Sequence, residues 1–527
     1  MKNIAKYIFS VLVVSSTVSC SDLDELNENP NRPQNVPSHM VMNGAEKWTM
    51  DNIYDVWFSG RQCLPYSQQI GQLNYTEEDR YEIREPVNNN YFKYLYMGLS
   101  NFQKVIDLNT DPATAASNSA FGDNQNQIAA ARIMKAWLFG VITDTWGAVP
   151  YSEALKLVSD NKVYAKYDDQ KDIYANLIKE LTEASAQIDE SKPAFTSGDV
   201  IFGGDASKWK RFANSLKCRF AIHLSKVDPN WKQYISEALA SGVMESNDDA
   251  AKFKYSNAGT EYCYFYEGTF VQYRNDLTIL KPFVDILKGQ PDTLNHKSHP
   301  WEGVVDPRLA MYTPPISDEK GYGGIPYAAQ SGIQQQLASM APNWYNNPPV
   351  CFKKDYAVPL MTFAELQFIL CEYNDYDPSY YTAGVEASID YWSDLSGVKA
   401  SAEDIADYIN AVSVKVDAEA CAIQKYIDLY TNGTEAWTEI RRTGYPEQLI
   451  RPGEYITKFN DKLLTFEPLS DTKGDIISRV KYPQQESTLN GAAFNDAVSR
   501  LQDGTNNYYS KMYWDVRKSS YDHPSNL

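Results

Sequence analysis

Apolar positions recur at three- and four-residue spacing along much of the chain, most densely from Gln127 to Leu155. Ile128, Ala131, Met134, Leu138 and Ile142 fall on one helical stripe, and Ala130, Ile133, Trp137 and Val141 on another. A helix apolar on nearly every side must be covered from several directions, so this one belongs at the centre of a large helical core. Arg132 and Lys135 interrupt the run, which is too short to span a bilayer. Asp144-Thr145-Trp146-Gly147 predicts its end, and Pro150 predicts an extended exit. Tyr151-Ser152-Glu153-Ala154 then reads as the start of another short helix.

The same spacing predicts helices on both sides of it. Residues 41–60 carry Met42, Ala45, Trp48 and Ile53; Asn88 to Asp107 carries Tyr91, Leu95, Leu99, Phe102 and Ile106. Ile173, Leu177, Leu181, Ala184 and Ile188 mark a helix after Asp168-Asp169, closed by Pro193 and Gly198. Trp209, Phe212, Leu216, Phe220 and Leu224 mark the next, opened at Gly203-Gly204-Asp205. From about 247 to 359 helical spacing fades into a section rich in aromatics, Gly and Pro, including TEYCYFYEGTFVQYRND, with one short helix expected within 276–288. So long an irregular section in a compact protein is functional or disordered, and its aromatic content argues against disorder. Helices resume at Thr362, where Glu365 completes a capping box, and again after Ser401 and Asp417. Asn432-Gly433 reads as a C-terminal cap, and a last helix ends at Gly444. Residues 447–527 read as turns and short elements.

The fold class expected is mostly α. Helix pairs with short connections stack in tetratricopeptide fashion over about 41–240 and 360–446, and one irregular excursion occupies about 247–359. No Gly/Ser or Pro-rich linker divides residues 20–527, which argues for one domain.

The first residues look like an export signal. Lys2 and Lys6 precede a short apolar core, Tyr7 to Val14, then small residues up to Cys20, so residues 1–19 read as a signal peptide. Cys20 stands at the cleavage point, as in a bacterial lipoprotein box, although Thr17 replaces the usual leucine. Losing two lysines and no acids would take the net charge from −19 to −21. Such a chain is a poor nucleic-acid binder and is repelled by anionic membranes, which leaves anchoring to the lipid. The six remaining cysteines form no C-x-x-C pair and read as buried thiols.

Ordered motifs then carry a resemblance. WGAVPYSEAL (146–155), KYDDQKDIYANLIKELTEA (166–184) and GGDASKWKRFANSLKCRFAIHLS (203–225) stand in the first half. DPRLAMY (306–312), FAELQFILCE (363–372), AIQKYIDLYTNGTEAWTEIRRTGYP (422–446) and RVKYPQQE (479–486) follow. Together they resemble the SusD/RagB class of outer-membrane lipoproteins, in its second SusD-like branch. The resemblance implies four tetratricopeptide-like helix pairs and a surface lipoprotein acylated at Cys20. It also implies a lid on a TonB-dependent SusC-like transporter that captures oligosaccharides without catalysis, and no cofactor is expected.

The residues agree with binding. Five histidines are present; His296 and His299 share a loop with no third ligand nearby, and no nucleophile-elbow, zincin or phosphate-loop motif appears. Tyrosine outnumbers phenylalanine 38 to 20, and Tyr and Trp combine a flat apolar face with one polar group, which suits a sugar ring. The expected ligand platforms are Tyr75, Tyr81, Trp301, Tyr322, Trp344 and Tyr345. Arg441 and Arg442 are expected to form ion pairs inside the stack. Peptide capture on the same scaffold and extracellular glycoside hydrolysis are the competing readings.

Overall fold

A computed structural model describes residues 36–517. The predicted signal peptide and Cys20 lie outside the described residues. Six long helices run through the first half: α1 (Ser38–Ile53), α2 (Glu85–Thr110), α3 (Asn124–Trp146), α4 (Gln170–Gln187), α5 (Ala206–His223) and α6 (Trp231–Ser241). Five more follow the excursion: α7 (Phe363–Tyr373), α8 (Pro378–Ser396), α9 (Ala402–Val412), α10 (Ala418–Asp428) and α11 (Gly433–Thr443). Each of α1 to α5 packs on the next, α7 packs on α8 and α10, and α5 against α7 joins the halves.

The centre is α3, as its composition predicts. Ile128 to Ile142 is buried apart from Arg132, Lys135 and Val141, and Arg132 reaches α4 through a 2.7 Å ion pair with Glu180. Asp123 caps its first turn, and Gly147, at φ 84°, ends it. Close approach to α5 depends on Gly140, where a Cβ would stand 2.5 Å from Phe220 Cζ. The caps read from sequence at Thr362, Ser401 and Asp417 all form, each side chain accepting a backbone N–H of its first turn. Two local expectations change. Residues 152–155 are a turn before a helix at Leu157–Asp160, and Asn432 precedes α11 instead of closing α10.

Charge is buried where the two halves meet. Arg219 pairs with Glu365 at 2.6 Å, Lys425 with Glu439 at 3.2 Å, and Arg442 with Glu372 at 2.7 Å and Glu439 at 2.8 Å. Arg441 forms no such pair among the described residues. Its guanidinium stacks 3.5 Å from the centre of Trp437 and donates to the carbonyls of Asp144 and Ser478. The six cysteines from Cys63 to Cys421 are free and buried.

The section 247–359 is more ordered than its composition suggests. It contains helices at Lys281–Leu287, Arg308–Tyr312 and Ser331–Gln336. Two short antiparallel ladders tie it down, Ile70–Gln72 with Leu277–Ile279 and Ala251–Lys254 with Ala357–Met361. Beyond α11 a hairpin pairs Tyr455–Phe459 with Lys462–Thr465. Among the described residues, no helix is long and apolar enough to cross a membrane.

Candidate functional site

The last turns of α1 present Trp48, Asp51 and Asn52 at i, i+3 and i+4, on one face, and Asp55 follows two residues past the helix end. Asn90 and Tyr94, one turn apart on α2, stand opposite. Tyr264 closes the third side from the excursion, and Trp57 from the segment after α1. These residues line a cleft of about 500 Å³. These four rings and four short polar side chains therefore face one opening, with the buried Phe58 and Tyr91 also in its wall. Another hollow, of about 550 Å³ beside α9, offers one ring, Tyr408, which is itself buried.

The cleft is held open by bonds among its own walls. Trp48 donates its indole N–H to the Tyr94 carbonyl at 2.8 Å, and the two rings meet edge to face. Asp51 takes an ion pair from Lys47 at 2.6 Å and the Tyr255 hydroxyl at 2.9 Å. Asp55 accepts the amides of Phe58 and Ser59 at 2.8 and 2.9 Å. Burial nevertheless raises both carboxyls, that of Asp55 to about 6.

Both segments that meet here contain a π-helical turn, Ser59–Cys63 and Glu267–Val271, a geometry that recurs at functional sites. They lock together through the Arg61–Asp276 ion pair at 3.0 Å and the adjoining ladder. The guanidinium of Arg61 lies 4.9 Å from the centre of Trp57 and 5.9 Å from that of Tyr75. A second aromatic feature follows the excursion segment. Tyr262, Tyr266, Phe270 and Tyr345 form a file with successive centroids 5.4, 5.1 and 5.5 Å apart.

The predicted platforms divide. Tyr75 is 56% exposed, at φ 58°, and Tyr345 is 39% exposed. Tyr322 is half-buried against the core, its carbonyl accepting Lys288 Nζ at 3.3 Å. Tyr81, Trp301 and Trp344 are corrected to packing residues. Tyr81 is fully buried between Tyr66 and Phe466. Trp301 is buried edge-on to His299. Trp344 is buried too, its indole N–H donated to Thr313 Oγ1 at 3.0 Å. The turn-forming Asn and Pro residues around Trp344 suggest exposure, but the partner that buries it lies 31 residues away. None of the four cleft rings, Trp48, Trp57, Tyr94 and Tyr264, is among the expected platforms. Tyr264 lies within the aromatic run TEYCYFYEGTFVQYRND, and the helical spacing of Trp48, Asp51 and Asn52 is a further signal.

One cluster has metal-ligand composition, His223 with Glu435 and Glu439. It is an ion network instead. Arg219, Lys425 and Arg442 already neutralise its carboxylates, and these acids hold the His223 imidazole protonated, raising it to about 9 against the opposing effect of burial.

No curated protein matches this chain. A structure described as a chitin-binding protein superposes with a TM-score of 0.71 at 25% identity, covering 90% of this chain and 100% of that one. A SusD homolog from Parabacteroides distasonis gives 0.73 at 20% identity, over 92% and 99%. A chitin-binding SusD homolog from Flavobacterium johnsoniae gives 0.66 at 20%, over 91% and 100%. Residues 30–465 match the family profile SusD-like_2, described as starch-binding and associating with the outer membrane. Fold, motif order and family profile agree, and the chain belongs to the SusD/RagB family.

Proposed function

We propose that the protein is a cell-surface lipoprotein that captures oligosaccharides in the cleft between α1, α2 and Tyr264 and hands them to a TonB-dependent SusC-like transporter. The carrying observation is the convergence of Trp48, Trp57, Tyr94 and Tyr264 with Asp51, Asn52, Asp55 and Asn90 around about 500 Å³. Rings stack on the C–H face of a sugar, and short amides and carboxylates bind its hydroxyl rim. The file ending at Tyr345 gives a longer chain a second apolar strip, and Tyr75 extends the Trp57–Arg61 side. The family's starch-binding description and the chitin-binding relatives support a glycan ligand.

The reading is of binding without catalysis. Asp51 is tied to Lys47 and Tyr255, and Asp55 to two backbone amides, so neither is free to serve as acid or nucleophile. Acylation at Cys20 supplies the outer-membrane anchor. The test is a binding screen of the purified protein against a glycan library and a peptide library. Glycan binding with a Kd of about micromolar to millimolar is expected, as suits capture followed by release. Peptide binding alone, or release of reducing sugar, overturns the reading.

A further inference from the structure

The rings of the cleft carry cations. Lys93, which lines the adjoining hollow beside Phe92 and Tyr96, places Nζ 4.9 Å from the centre of Tyr94, and Lys47 Nζ lies 5.7 Å from that of Tyr264. The guanidiniums of Arg274 and Arg84 lie 4.9 and 5.7 Å from the centre of Trp57. In a chain of net charge −19 this gathering runs against the composition.

The acids nearby are engaged from within the fold. Asp51 is held by Lys47 and Tyr255, Asp55 by two amides, Glu78 by Arg61 and Arg84, and Asp276 by Arg61. Glu261 sits 3.9 Å from Lys47. The Glu261 side chain is 58% exposed beside Lys47, whereas the exposed charges around Trp57 and Tyr94 are positive. Arg274 has a 39% exposed side chain and, among the described residues, forms an ion pair only with Asp276, at 3.9 Å. The Arg84 side chain is 46% exposed, and Lys93 is exposed on its ring. A cation resting on an aromatic face is partly desolvated while its N–H groups stay free for an anion. A guanidinium fork matches the two oxygens of a carboxylate or sulfate.

We infer that the cleft selects acidic glycans, chains bearing carboxylate or sulfate, with a sugar face on the cleft rings and its anion on Arg274, Arg84 and Lys93. This rests on the glycan reading above and adds to it the charge class of the ligand. Neutral sugars would use the same rings without the rim.

Paired probes decide it. Uronic-acid oligosaccharides are titrated against their carboxyl-reduced twins, and sulfated ones against their desulfated twins, at about 0.05 and 0.3 M salt. The acidic member of a responding pair binds at least tenfold tighter, and the gap narrows at the higher salt. The Lys93→Gln/Arg274→Gln variant, altered only at exposed side chains, keeps its Tm and loses the gap. The pair that responds identifies the anion. Equal affinity of all twins, still lost in Trp57→Ala, overturns the charge class and leaves glycan capture standing. Binding of neither twin in any pair overturns both.

Discussion

Gly268 lies against Val56, so close that a Cβ built on the glycine would stand 2.5 Å from the valine's Cγ1. That contact fixes how far the excursion sits from the end of α1, and so the width of the cleft between Tyr264 and Trp57. A methyl added there forces one wall outward, and overpacking of this kind costs ~1–3 kcal/mol. Gly268→Ala is expected to lower Tm by a few degrees and to weaken ligand binding more than its stability loss explains. Calorimetric titration beside thermal melts checks this; unchanged affinity would mean that the spacing does not matter.

Trp344 and Trp57 should part company on mutation. Trp344 is buried with its N–H satisfied by Thr313, so Trp344→Ala should cost ~3–5 kcal/mol, as for large aromatics in tight cores. Binding per folded molecule should stay the same. Chemical denaturation and an active-site titration separate the two effects, and a loss below ~1 kcal/mol would return Trp344 to the surface.

The His223 network predicts a pH dependence with a definite sign. Tyr174 stands 2.8 Å from His223 Nδ1 and 2.7 Å from Asp144 Oδ1, while Nε2 lies 2.9 Å from Glu435. Tyr174 gives its one proton to Asp144, so both ring nitrogens of His223 act as donors and the imidazolium is the bound form. The folded value of about 9 exceeds the ordinary 6.5, so this contribution is complete below pH 6.5 and disappears as pH rises through 9. Glu435, held down at about 2 by His223 and Arg219 despite its burial, contributes above pH 4.5 and fails as pH falls toward 2. Thermal melts should therefore show Tm falling from pH 6.5 to 9. His223→Gln should flatten that fall, leaving the part owed to Asp79, whose buried carboxyl, pushed up to about 8, loses stability in the same direction. An equal slope in the variant would contradict the network.

The scaffold was legible because helices declare themselves locally. The all-round apolar run of α3, the caps at Thr362, Ser401 and Asp417, and the glycine ending α11 each rest on a few neighbouring residues. The site was legible only in part. Trp48 shows helical spacing and Tyr264 lies in a conspicuous aromatic run, yet what unites them is the contact of residues 55–61 with 265–277. That contact depends on Gly60 and Gly268, which local pattern does not connect. Polarity around Trp344 and Tyr81 misleads for the same reason, since Thr313 and Phe466 bury them from far along the chain.

The account stands most directly on one titration. The tightest-binding glycan from the library is measured against the native protein, the Trp57→Ala/Tyr264→Ala variant and Tyr345→Ala, with Tm recorded for each. If each stacked ring contributes ~1–3 kcal/mol, by analogy with bases on aromatic side chains, the double variant loses at least tenfold in affinity with Tm nearly unchanged. Tyr345→Ala loses less, and only for longer chains. Full affinity in a folded Trp57→Ala/Tyr264→Ala protein would contradict the account and place the ligand outside the cleft.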